Sequence, residues 1–491
     1  MRAKVETESP VSETAQVAPD SLQLRKALGP VMLWGLGVGY VISGEYFGWN
    51  LGLPVGGTYG LLFALALVTV MYVTFVFSYT ELACAIPRAG GVFVYAARGL
   101  GLGAGFLGGV AQIVEFVFAP PAIAMAIGAY VANWHWTGID DPRYVAVASL
   151  VVFTALNIWG VKQTAVVELV VTILAVGELL LFTGIVAPHF QAAQFTANAW
   201  PNGWTGALAA IPFAIWFYLA IEGVANAAEE AKNPQRDVVI GFGAAMLTLV
   251  VLACGVFFGA VGVGGWERVV FPAENLAVGA PGSAVLVLDA TKTSDSPLPL
   301  ALAQVVDRGH ALYQLLIGIG LLGLIASLNG IILVAGRALL EMGRVGFLPS
   351  LIGGVHARTR TPVPALLLNL LIGLPAICFL NTGALITMSA MGAVTLYIVA
   401  MAALVGLRRK EPHLARPFRA PLYPVFPAVA AAIAAMSLAT MSYFNFEGAS
   451  SLARSITAWY FGLLAIAYAY YWFVVRRRLS NDDIAHFYRL G

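Results

Sequence analysis

Ile42-Ser43-Gly44-Glu45-Tyr46-Phe47-Gly48 interrupts a membrane-length apolar run at its centre, and Ala220-Ile221-Glu222-Gly223-Val224 interrupts another far downstream. Each break sets glycine beside a glutamate. A carboxylate deep in a bilayer costs roughly 2.5–3.5 kcal/mol even on a lenient insertion scale. A glycine break also frees backbone groups that lipid cannot satisfy, so it must face protein or a wet cavity. Two such interruptions in the two halves of a chain point to a solute site near the membrane midplane.

Composition agrees with a life in lipid. Of 491 residues 60% are hydrophobic and only 11% are charged, with mean hydropathy +0.83. Soluble domains carry about 25% charged residues. The net charge of +2 comes with basic residues in loops rather than in a patch, so nucleic acid is not an expected partner; the lipid bilayer is. Cys84, Cys254 and Cys378 lie far apart and make neither a metal nor a disulfide spacing. Residues 1–28 are polar and lack a short hydrophobic region with a cleavage site, so a removable signal peptide is not expected.

Apolar runs of about twenty residues predict about twelve helical spans. They cover 29–50, 59–83, 104–132, 143–160, 164–187, 207–226, 238–264, 310–337, 362–380, 383–406, 420–443 and 455–475. No two-residue alternation recurs, which argues against a β-barrel. With both termini inside, all of the 27 basic residues except Arg143, Arg268, Lys292, Arg308 and Arg454 fall on the cytoplasmic face. The expected place is the cell membrane, crossed many times. The long external segment from Gly265 to Arg308 reads as a surface loop with a short helix from Ala284 to Ala290.

The chemistry lies in carboxylates. Glu45, Glu115, Glu178 and Glu222 fall inside spans, with Glu81 and Glu168 nearer span ends, and no Lys, Arg or His sits mid-span to neutralise them. Such groups must be protonated, hydrated or matched to a mobile cation. Ser43, Gly44 and Gly48 allow the first helix to unwind, and the second half-helix begins near Glu45 with the positive end of its dipole. Glu45 could occupy the freed N–H groups as a cap, or present charge to an amine. Either role makes the site poorer for a carboxylate ligand. Trp216 and Tyr218 sit beside Glu222, where aromatic faces can shield a cation or simply pack. Asn157 and Asn329 can hydrogen-bond between helices. The run Gly99 to Gly105 lacks the strand and acidic residue of a nucleotide loop and reads as a cytoplasmic turn. No metal cluster or nucleophile set appears, so an enzyme is not expected.

These residues resemble the amino acid–polyamine–organocation transporter superfamily across nearly the whole chain. Ser43-Gly44-Glu45-Tyr46-Phe47-Gly48 is similar to its G-S-G-I-F-G break, with Glu45 replacing an apolar residue. Glu81-Leu82-Ala83 through Val92-Phe93 resembles its E-L-A-x-A-x-P-x-x-G-G-x-Y loop, and Glu229-Glu230-Ala231-Lys232-Asn233-Pro234-Gln235-Arg236 its E-E-x-K-N-P-x-R segment. Gly44 to Asn50 and Ala119-Pro120-Pro121 look most like the ethanolamine permeases. The resemblance implies an all-α membrane fold of two inverted five-helix repeats, 29–187 and 207–406, with helices 1 and 6 broken. Two added helices (420–475) and cytoplasmic tails (1–28 and 476–491) complete it. It also implies a gating role for Glu222 and Trp216. Some proton-coupled relatives carry a lysine in span five, where Thr172-Ile173-Leu174-Ala175 here has Ala175.

The resulting expectation is a secondary carrier importing ethanolamine or a similar small amine by alternating access, coupled to H+ or Na+, without a cofactor. The alternative is an amino acid permease of the same superfamily. The expected substrate site comprises Ser43, Gly44, Glu45, Tyr46, Trp216, Ala220, Glu222 and Gly223, with Glu115 and Glu178 as further intramembrane carboxylates.

Overall fold

A computed structural model describes residues 28–88, 90–134, 138, 141–160, 165–272, 293–447 and 455–479. The short helix expected at Ala284 to Ala290 lies outside these residues. Among the described residues the regular structure is helical, apart from one isolated bridge between Leu28 and Ala231.

Pro30 opens α1 (Pro30–Val41) at the position where a helix needs no N–H donor. One turn, α2 (Ser43–Tyr46), follows before Phe47 goes extended and Gly48 turns to φ 91°. A 3₁₀ turn at Trp49–Gly52 leads into α3 (Leu53–Ala85), in which Gly57 (φ 63°, ψ −173°) marks a sharp joint. The first span therefore ends at Gly57 and the second begins beyond it. α4 (Val92–Gly99), α5 (Leu102–Ala132), α6 (Pro142–Trp159) and α7 (Ala165–Val186) complete the first half.

The second half begins with the short α8 (Ala192–Thr196), α9 (Gly203–Ala209) and α10 (Ile211–Trp216). Residues 217–222 are not helical, and α11 (Gly223–Asn226) resumes beyond them. Thus the sixth span is broken where the sequence sets Glu222 beside Gly223. Then come α12 (Pro234–Gly264), the short α13 (Glu267–Val270) and α14 (Pro297–Leu302), and α15 (Ala311–Arg344). α16 (Val363–Phe379), α17 (Thr382–Lys410), α18 (Val425–Glu447) and α19 (Ile456–Tyr470) follow. Among the described residues nine helices are long and apolar enough to cross a membrane, and three shorter apolar ones include the two broken spans.

Burial orders the bundle. The apolar window of α5 is 94% buried, whereas that of the final span is 17% buried, so α5 runs through the centre and α19 lies outside. Small residues set the central crossings: a Cβ on Gly392 of α17 would stand 2.7 Å from the Ala111 oxygen of α5. Close backbone approach of this kind is how helices associate where lipid removes the hydrophobic drive. Asn157 Nδ2 donates to Asn329 Oδ1 (2.8 Å), pinning α6 to α15 as the sequence suggested.

Candidate functional site

The two breaks lie against each other. A Cβ on Gly44 would stand 2.2 Å from the Trp216 carbonyl oxygen, so only glycine permits this crossing. Gly48 combines its positive φ with a close approach to the Trp216 indole, 2.5 Å from where a Cβ would stand. Ala220 holds φ 76°, a left-handed conformation that costs an L-residue about 1–2 kcal/mol. Strain of this kind persists only where surrounding packing enforces it, and it collects at functional sites. On the other side, the Ser327 hydroxyl of α15 donates to the Tyr40 carbonyl (3.0 Å) and lies 2.9 Å from the Ser43 hydroxyl.

A cavity of about 10 Å³ remains at the crossing, room for about one water. Of the expected site residues, Ser43, Trp216 and Ala220 line it; Gly44, Glu45, Tyr46, Glu222 and Gly223 do not. The sequence reading missed Tyr40, Ala119, Ile123 and Ile331, which complete its wall with Val41 and Leu219. Trp216 Nε1 is buried beside Gly48 without a hydrogen-bond partner. A cavity of about 480 Å³ lies elsewhere, among Gln191, Gln194, Arg268, Gln304 and Arg308. Its two arginines suit it poorly to an organic cation, and it holds none of the carboxylates above.

The buried carboxylates divide by partner. Glu45 is fully buried, and neither of its oxygens has a hydrogen-bond partner. A charge on it would act on Tyr218 in the break of the sixth span and on Cys254 of α12. Glu178 on α7 accepts from the Tyr46 hydroxyl (2.7 Å), while the Tyr130 hydroxyl donates to the Tyr46 carbonyl (3.1 Å). These bonds fasten the first break to the fifth and third spans. Glu222 Oε2 accepts from Tyr397 (3.1 Å), whose hydroxyl also lies 3.0 Å from that of Tyr72. The carboxyl groups of Glu115 and Glu222 face each other closely enough to share a hydrogen bond if one carries a proton. The sequence did not foresee Tyr72 and Tyr397, although a hydroxyl within an apolar run carries the same hint as a buried charge.

Glu81 departs from the expectation that no fixed cation serves the intramembrane acids. Arg408 makes a two-pronged ion pair with it, Arg416 lies 3.3 Å away, and the Ala420 N–H donates to it (2.7 Å). Arg408 belongs to the last turn of α17 and stacks on Tyr423. The cluster clamps the second span to the tenth and leaves no charge for a mobile partner.

The family model for amino acid permeases matches residues 28–469. The chain is 31% identical to an uncharacterized transporter of Rhizobium meliloti over 363 residues, 72% of each chain. It is 26% identical to the methylthioribose transporter of Bacillus subtilis, covering 86% of this chain and 89% of that one. A branched-chain amino acid permease of Bacillus subtilis is 23% identical, covering 88% and 91%.

Proposed function

This chain belongs to the amino acid permease family and is a multi-pass membrane transporter, not an enzyme; from that premise we propose that it imports ethanolamine or a similar small cationic amine. Import proceeds by alternating access around the two breaks, coupled to H+ or Na+, with both termini in the cytoplasm. The observation that carries the reading is Glu45: a carboxylate at the first break, fully buried, with neither oxygen partnered. A negative charge so placed is stabilised by a cation that arrives and leaves, and it repels a substrate carboxylate. The buried, unpartnered Trp216 Nε1 beside the first break is a donor that suits a hydroxyl such as that of an amino alcohol once the helices part. A cavity of about 10 Å³ is too small for the substrate, so admission requires the broken helices to part and turn Glu45 towards the opened site.

Calorimetry on the purified protein tests this. Ethanolamine is expected to bind far better than serine, which adds a carboxylate to the same skeleton. Glu45→Gln is expected to weaken ethanolamine binding at least tenfold, about 1.4 kcal/mol. Equal affinity for the two ligands, or no effect of Glu45→Gln, would remove Glu45 from substrate choice; its unpartnered oxygens already show that it does not cap the half-helix. That result would favour a second reading, an amino acid permease, which the named activity of the Bacillus subtilis branched-chain permease supports.

A further inference from the structure

A second cavity of about 110 Å³ lies beside the first, between α1, α7 and α15. Tyr40 lines both cavities. Its ring stands in a slot between two glycines: a Cβ on Gly223 or on Gly330 would come within 2.9 Å of it. The ring is therefore a thin septum, with glycine backbone packed against both its Cδ1 and its Cδ2 sides. On the far side of the septum Glu168 lines the cavity. It is 4% exposed, and its Oε1 has no hydrogen-bond partner. The Thr172 hydroxyl nearby is committed to the Gly35 carbonyl (3.1 Å). Arg337 also lines the cavity, but it is paired with Glu230 (3.5 Å). The charged groups around Tyr40 are thus two carboxylates and one guanidinium, Glu168, Glu230 and Arg337. The cavity thus holds one more carboxyl group than guanidinium, and the buried unpaired oxygen belongs to the group left over.

We propose that this cavity is a second binding site for the transported amine, in which Glu168 receives the ammonium group after it passes the Tyr40 ring. The proposal rests on the reading of the substrate as a small cation. A volume of about 110 Å³ accommodates a small organic cation together with hydrating water. The Arg337–Glu230 pair forms part of the cavity wall together with Leu28, which bonds backbone to backbone with Glu230 and Lys232 (2.9 Å each). A solute would move from the break to Glu168 and then past that pair.

Leu333 lines the same cavity and offers a reporter position. In a background with Cys84, Cys254 and Cys378 replaced, Leu333→Cys is treated, in purified protein, with methanethiosulfonates carrying trimethylammonium or sulfonate. The cationic reagent is expected to react at least tenfold faster. The preference should fall severalfold in Glu168→Gln and persist in Glu168→Asp, and saturating ethanolamine should slow the reaction. No charge preference, or one that survives Glu168→Gln unchanged, overturns the site. If the preference depends on Glu168 but ethanolamine gives no protection, the amine assignment of this site falls. Calorimetry on the wild type then separates the cases: binding there spares the proposed substrate, and none removes it.

Discussion

Glu222 and Glu115 face each other in the middle of the bundle, and the hydroxyls of Tyr397 and Tyr72 continue the chain of polar contacts to the second and tenth spans. Two carboxyl groups can bond to each other only through a proton, so this pair changes its contacts whenever the proton moves. Gln in place of Glu222 keeps the shape and the Tyr397 contact but fixes the group in a neutral form. Glu222→Gln is therefore expected to slow uptake into proteoliposomes at least tenfold while leaving yield and melting near wild type. Wild-type rates would make the pair a packing feature. Glu81 is the contrasting residue: it is equally buried, yet Arg408 and Arg416 neutralise it permanently, so its part is to hold helices together.

At the scale of the element, the sixth span breaks without a glycine at its most strained position. Ala220 takes the left-handed conformation with a Cβ in place, and it is 1% exposed. Glycine would adopt that backbone freely, though at the cost of a more flexible unfolded chain. A β-branched side chain would meet both the backbone penalty and a packed wall. Ala220→Gly is thus expected to melt within about 1 kcal/mol of the wild type, and Ala220→Val to lose about 2 kcal/mol or more. Thermal unfolding in detergent, read by intrinsic fluorescence, distinguishes them; equal stability would show that the break relaxes around position 220.

For the whole molecule, the segment outside the membrane closes onto the bundle through Asp295. The Thr382 hydroxyl at the start of α17 donates to its carboxylate, and Asn50 next to the first break donates to the Ser294 carbonyl (2.8 Å). Burial pushes the Asp295 carboxyl up to about 6 against the opposing effect of the Thr382 hydrogen bond. A carboxyl raised above its ordinary value favours the folded protein when protonated. That contribution is complete below about pH 4 and is lost as pH rises through about 6. Melting at pH 5 is expected to exceed that at pH 7.5 by on the order of 1 kcal/mol, and Asp295→Asn should remove this part of the difference. A wild-type-sized difference in Asp295→Asn would assign it to other groups.

The sequence by itself determined the helical membrane fold and the positions of both breaks. Those features rest on local properties: apolar length, the freedom of Gly44 and Gly48, and the cost of Glu45 and Glu222 in lipid. It also marked Asn157 and Asn329 as helix-bonding groups. It did not say which way each side chain faces. In a bilayer a helix is apolar on nearly all sides, so no polar stripe records its rotation as it does in a soluble protein. Only the tertiary structure could therefore bury Glu45 with neither oxygen partnered, give Glu81 its partner 327 residues away in Arg408, and set Glu115 against Glu222. The same rotation of α7 against α1 left Glu168 unpaired behind the Tyr40 ring, because the arginine nearest to it was already held by Glu230.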